Sequence, residues 1–157
     1  MMLPEVQEYV ARLREARAEM IKTLAGLGAD ALNWHPLPDE TNSLFALATH
    51  CLGSERRWVQ QEVGQQKFER DRAAEFRARG ESGVALGAAY DAVARESEAI
   101  LAQLVEAEMG AQRGAAPNAH TVRWCILHVI EHYNEHLGQM RLTRQLWENR
   151  TARPHEI

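Results

Sequence analysis

Residues 125–139 have the sequence CILHVIEHYNEHLGQ, in which His128, His132 and His136 follow one another at intervals of four. Because an α-helix has 3.6 residues per turn, this spacing places the three imidazoles on one face of a helix. Rings four residues apart lie about 6 Å apart along the axis and can bind one metal ion, whereas rings eight apart, at about 12 Å, cannot. The stretch predicts a helix that supplies one ligand pair, either His128 with His132 or His132 with His136.

Three more amphipathic helices precede this one, because apolar residues recur at the helical period in three earlier segments. The four predicted helices run from Pro4 to Gly26–Gly28, from about 43 to 63, from a Ser82 cap to Gly110, and from Thr121 to about Asn149. No segment alternates over enough residues with the period of two that a strand requires. The chain is therefore predicted to be all-α, a four-helix bundle.

The connections contain residues that break or cap helices. Pro36 and Pro38 interrupt the stretch 29–41, after which Asn42 or Ser43 is predicted to cap the second helix. Residues 64–80 have no sustained apolar period and are predicted to form a long connection between helices 2 and 3, with room for a helical turn. Residues 111–120 are predicted to form another loop.

The composition narrows the class of protein. A chain of 157 residues with 45% apolar and 25% charged residues predicts one globular domain over residues 1–157. A net charge of −4 argues against nucleic-acid binding, which needs clustered basic residues. Six arginines are interleaved with acids and predict a solvated polar face: Arg56, Arg57, Arg70, Arg72, Arg77 and Arg79.

No secretory signal and no membrane span are predicted, because the N-terminal residues lack a basic flank with an apolar run and no stretch approaches about 18 apolar residues. We therefore expect a cytoplasmic protein. Cys51 and Cys125 fall within predicted helices without the spacing of a zinc site. Both are predicted to be reduced, small and buried.

A metal site competes with simple packing as the explanation of the histidine face. One buried histidine usually packs with hydrogen bonds, but burying three neutral rings costs desolvation for each unpaired nitrogen. A metal would bind two of these nitrogens, and the best remaining candidate for a further ligand is His50 on the second helix. A di-iron site is excluded, since none of the four histidines has an acid three residues before it. The HxxEH pattern at 132–136 is typical of zinc proteases of much larger size, so protease activity is not expected.

Three segments together resemble a known family. They are Leu32-Asn33-Trp34-His35-Pro36, then Asn42-Ser43-Leu44 running to Thr49-His50, and the histidine helix with its terminal Gly138-Gln139. In this combination the chain is similar to the DinB-like superfamily of metalloenzymes, and the resemblance covers nearly the whole chain.

The resemblance implies a four-helix bundle, frequently dimeric, that holds a divalent metal, zinc or nickel in many relatives. Transferred residue by residue, the three ligands fall on His50, His132 and His136, and His128 becomes a neighbour on the same face. Many relatives carry Arg where this chain has Leu137, which puts any salt bridge of that Arg in doubt but leaves the ligands intact.

The resemblance also implies a reaction. Three imidazoles with an open fourth position suit a catalytic site, and some relatives resemble transferases that use a low-molecular-weight thiol such as bacillithiol or mycothiol. A thiol-dependent S-transferase acting on a small molecule is therefore the leading expectation. Two alternatives stay open: metal-hydroxide hydrolysis of a small amide or ester, and a bundle that binds a metal or small ligand without turnover.

Glu135 and Arg57 lie near the candidate ligands in the sequence, and an apolar surface predicts an oligomer. Glu135 is expected to be a solvated helix acid rather than a proton carrier, and Arg57 a surface arginine rather than a ligand for a substrate carboxylate. A homodimer is predicted from the wide apolar arc of helix 2 and from Ile126, Ile130 and Leu137, which project away from the histidine face.

Overall fold

The computed structural model describes residues 1–150, most of which are helical. The helices are α1 (Pro4–Leu24), α2 (Ala29–Leu32), α3 (Leu44–Glu55), α4 (Arg72–Arg77), α5 (Val84–Leu101), α6 (Glu106–Met109) and α7 (Val122–Asn149). Helix α3 continues as a π-helical segment, Arg56–Val63, and the strands β1 (Gln112–Arg113) and β2 (His120–Thr121) form a short antiparallel pair. The remaining residues of the predicted domain, 151–157, lie outside the described part.

The core lies between the long helices α1, α3, α5 and α7. Helix α7 packs against α1 and α3, and α5 packs against α1, α3 and the π-helical segment. Each long helix turns its apolar face inward, with Leu13, Leu47, Leu101 and Ile126 among the buried side chains. The all-α class predicted from the sequence is confirmed. The long connection between α3 and α5 is also present and contains α4.

Side-chain caps fix the start of the two helices that carry the histidines. The Ser43 hydroxyl accepts a hydrogen bond from the Ala46 amide at 3.2 Å, as predicted for α3, and the Thr121 hydroxyl accepts one from the Trp124 amide at 3.1 Å at the start of α7. The predicted Ser82 cap is wrong, since Gly83 occupies the N-cap position of α5 without a side-chain bond.

The third helix ends earlier than predicted. Helix α5 stops at Leu101, and the amides of Gln103 and Leu104 bond to carbonyls only three residues back. This tighter turn ends the α-helix, so Leu104 remains buried although it no longer belongs to α5. The predicted loop 111–120 also differs, because its ends pair as β1 and β2.

The apolar side chains of α7 from which a dimer was predicted pack against other parts of the same chain. Ile126 and Leu137 are buried, and Ile130 is half-buried against the core. The apolar side chains that α7 exposes are instead Trp124, Leu127, Leu142 and Leu146. The homodimer stays a prediction without that support. Among the described helices, none is long and apolar enough to cross a membrane.

A hydrogen-bond network around a buried ion pair ties the four long helices together. Glu55 at the end of α3 is fully buried and accepts a hydrogen bond from Arg17 Nε on α1 at 3.0 Å and another from the Tyr133 hydroxyl on α7 at 2.8 Å. Arg17 also donates to Glu98 on α5 at 3.0 Å. Because charged groups without a partner are costly in the core, this network fixes how the helices meet.

We expect the Arg17→Met variant to lose about 3–5 kcal/mol of unfolding free energy, because the Glu55 carboxylate stays buried without its cation. Arg14→Met is the matched control, since Arg14 pairs with the same Glu98 but is largely exposed; its loss should be about 1 kcal/mol or less. Urea unfolding followed by circular dichroism measures both. Equal losses would contradict a structural role for the buried pair.

Candidate metal centre

The packing of α3 against α7 brings together the three histidines predicted as ligands. His50 lies on α3, and His132 and His136 lie one turn apart on α7. One nitrogen from each ring lies within 4.8 Å of the other two. The Nε2 atoms of His50 and His132 are 3.1 Å apart. His50 is buried, and the other two rings are half-buried, so the cluster lies at the edge of the core.

A carboxylate orients the His50 ring from the long connection. The Nδ1 atom of His50 lies 2.9 Å from Glu75 Oε2 on α4 and donates a hydrogen bond to it, which leaves the lone pair on Nε2. Arg70 holds the same carboxylate with two bonds, of 2.6 Å from Nε and 2.7 Å from Nη2. The Phe76 ring stacks on the imidazole with centroids 4.2 Å apart.

Glycine at position 53 and a loop anchor allow Glu75 to reach α3. A Cβ atom at Gly53 would clash with the Glu75 carboxylate, so only glycine permits this approach. The connection after α4 is held by Asn33, whose side chain donates to the Gly80 carbonyl at 2.8 Å and accepts from the Gly80 amide at 3.0 Å. The position of the carboxylate is therefore built into the fold.

The two rings on α7 also have outer partners. His136 Nδ1 donates to the side-chain oxygen of Gln139 at 2.8 Å, which leaves its Nε2 lone pair available. His132 Nδ1 lies 4.0 Å from the sulfur of Cys51. Both Cys51 and Cys125 are buried, as predicted. Burial raises the pKa of the Cys51 thiol well above its usual range, which keeps this thiol neutral.

Burial keeps the central imidazoles neutral. Desolvation, together with the neighbouring His136 and His50, lowers the pKa of His132 to about 3. Desolvation also lowers the pKa of His50, although its bond to Glu75 opposes this. Burial raises the pKa of Glu75, but the bonds from Arg70 and His50 outweigh that effect and hold the pKa below its ordinary value. At neutral pH the site thus combines neutral His50 and His132 rings with an ionised outer carboxylate.

This donor set fits a divalent cation. Metal binding requires deprotonated imidazole nitrogens, with outer acceptors that fix each ring. Two nitrogens at about 2.1 Å from one tetrahedral ion are about 3.4 Å apart, close to the 3.1 Å between His50 and His132. Two Nε2 atoms at this distance need a proton or a cation between them, because lone pairs that face each other repel.

His128 lies outside the cluster of His50, His132 and His136. Its ring stacks on Trp124, with centroids 4.7 Å apart and an angle of 5° between the planes, and meets the edge of Trp58 at 5.1 Å. Glu135 is exposed, as expected for a solvated acid. Arg57 is half-buried and pairs with Glu62 rather than pointing freely into solvent.

The sequence missed the outer partners of His50. Glu75 and Arg70 lie in the segment interpreted as a connection, and Arg70 was expected on a solvated face, but its side chain is only 17% exposed because it binds Glu75. Gly53 lies three residues after His50 in a predicted helix and could have indicated this contact, since glycine within a helix often marks a place where another group packs close to the backbone.

Comparison with solved structures shows the same fold in two other proteins. A conserved protein from Enterococcus faecalis superposes with a TM-score of 0.72 at 16% identity, covering 93% of this chain and 97% of the other. A DinB-like protein from Bacillus cereus ATCC 10987 gives a TM-score of 0.69 at 18% identity, covering 93% and 91%. At these identities the likeness shows the fold alone. No curated protein sequence matches significantly.

The sequence itself places the chain in a family. The model of the family described as mycothiol-S-transferase matches residues 8–149, a range that includes all three histidines and both of the helices that carry them. The extent of this match and the shared fold agree with the DinB-like resemblance found in the sequence. The chain belongs to the mycothiol-S-transferase family of DinB-like proteins.

Proposed function

We propose that this protein is a metal-dependent S-transferase that joins a low-molecular-weight thiol to a small electrophile. The observation that carries the proposal is the cluster of three imidazoles at the α3–α7 contact, in a chain of the mycothiol-S-transferase family. Mycothiol is the thiol that the family name supports first, with bacillithiol as the second choice.

His50, His132 and His136 are the proposed ligands, with zinc or nickel as the proposed ion. When bound by three imidazoles, such a cation stabilises the anion of a thiol and so makes it a nucleophile at neutral pH. Thiol transfer then needs no strong protein base, which agrees with the exposed position of Glu135.

The chain's own residues orient the centre and shield it from water. Glu75 fixes the tautomer of His50 and places a negative charge behind that ring. Gln139 fixes the tautomer of His136 but adds no charge. The ring of Phe76 covers one face of His50. Because these partners come from the helices α4 and α7, the rings are held in place before any substrate binds.

The reaction can be written for a chlorinated aromatic electrophile such as 1-chloro-2,4-dinitrobenzene. A bond forms between the thiol sulfur and the ring carbon that carries chlorine, and the carbon–chlorine bond breaks. Chloride leaves with the bonding electron pair, and the proton of the thiol passes to solvent. The products are the aryl thioether, chloride and a proton.

We expect Glu75→Ala to weaken zinc binding about 10- to 100-fold, because His50 loses the acceptor that fixes its ring and strengthens Nε2 as a ligand. Glu135→Ala is the matched control, since Glu135 lies next to His136 but is exposed, and its affinity should stay within about two-fold of the wild type. Competition with a chromogenic zinc chelator measures both dissociation constants. Equal affinities in the two variants would contradict the role of Glu75.

The activity is tested by thiol consumption with 1-chloro-2,4-dinitrobenzene. We expect mycothiol to be consumed at least about ten-fold faster with the metal-loaded protein than with chelator-treated protein, because only the former supplies the thiolate. Re-addition of the metal should restore the rate. Because both cysteines are buried, the protein's own thiols should contribute little.

A panel of mycothiol, bacillithiol, glutathione and cysteine identifies the preferred thiol. Consumption that does not depend on the metal would contradict the proposal. So would metal-dependent release of product from a small ester or amide in the absence of any thiol, since that result indicates a hydrolase.

A further inference from the structure

A cavity of about 790 Å³ lies beside the candidate metal centre. It is formed between the segment after α2 and the C-terminal half of α7, and it is open on one side. Its volume falls within the range of sites that take small organic molecules, about 300–1,000 Å³. Half of its lining is apolar: Trp34, Pro36, Leu37, Leu47, Leu142 and Leu146.

Two residues connect this cavity to the histidine cluster. Gln139 lines the cavity, and its side-chain oxygen accepts the hydrogen bond from His136 Nδ1 at 2.8 Å. Leu47 also lines it and lies on α3 one turn before His50. The cavity therefore shares a wall with the candidate metal centre, on the side of the outer partner of His136.

The lining indicates which reactant belongs there. The indole of Trp34 and the leucines of α7 offer apolar surface to a flat aromatic body, and the amides of Asn42 and Gln139 can bind polar substituents at its edge. The other half of the lining is polar, and it can bind the polar substituents of such a body: Glu40, Thr41, Asn42, Gln139, Thr143 and Arg150.

We propose that this cavity binds the electrophile, and that the substrate class is a planar aromatic molecule with polar substituents such as nitro or carbonyl groups. This inference rests on the proposed function, because the electrophile is the second reactant of the proposed thiol transfer. Binding itself requires neither the thiol nor the reaction.

The test uses 1,3-dinitrobenzene, which has the shape of 1-chloro-2,4-dinitrobenzene but no chlorine to lose and therefore cannot react by displacement. Isothermal titration calorimetry should show one molecule bound per chain, with and without the metal. In Leu142→Asp the affinity should fall at least about ten-fold, because the change places a charge in the apolar wall. Leu142 is 56% exposed, so the variant should fold.

Leu127→Asp is the matched control. Leu127 is an exposed leucine on the same helix, 38% exposed and outside the cavity, and its variant should bind 1,3-dinitrobenzene like the wild type. In the transfer assay, Leu142→Asp should raise the KM for 1-chloro-2,4-dinitrobenzene and leave the KM for the thiol unchanged.

The two proposals fail in different ways. Absence of binding by the wild type, or equal loss in Leu142→Asp and Leu127→Asp, would overturn the assignment of the cavity, whatever the transfer assay shows. Binding that is lost only in Leu142→Asp, in a protein that consumes no thiol, would support the cavity as a site for aromatic ligands and contradict the S-transferase.

Discussion

The register of α3 against α7 is the constraint on which the rest of the structure depends. Glu55 on α3 accepts hydrogen bonds from Arg17 on α1 and from Tyr133 on α7, and both hydrogen bonds lie in the core. Tyr133 directly follows His132, so the bond that satisfies Glu55 also sets where His132 meets His50, with their Nε2 atoms 3.1 Å apart. A buried charge with few alternative partners permits little sliding of one helix along another. The relative positions of the imidazoles on α3 and α7 are fixed by the same contact.

The centre combines rigid helices with a connection that carries the outer carboxylate. The rings project from α3 and α7, whereas Glu75 lies on α4 within the long segment between α3 and α5. Sites on helices hold their geometry better than sites on loops, and outer partners decide ring orientation and basicity. The centre adjoins the cavity through Gln139, so one side chain contacts both His136 and the proposed electrophile site.

The sequence predicts what depends on local periodicity and not what depends on long-range contact. The helical face of His128, His132 and His136, the Ser43 cap and the all-α class follow from spacing and capping rules, and the structure agrees. The choice of His132 and His136 over the pair with His128 required the family resemblance, because spacing treats both pairs alike. The end of α5 at Leu101 and the burial of Ile126 and Leu137 are tertiary effects that a periodic pattern does not contain. Glu75 lies 25 residues from His50 in an irregular segment, which is why sequence reasoning missed it.

Metal content per chain in two single-residue variants tests the central claim most directly. After loading with zinc and gel filtration, the wild type should retain about one ion per chain. His132→Ala should retain almost none, because it removes the ring at the centre of the cluster, and His128→Ala should retain nearly all, because His128 stacks on Trp124 instead. Equal loss in both variants, or full retention in His132→Ala, would contradict a cation held jointly by imidazoles of α3 and α7.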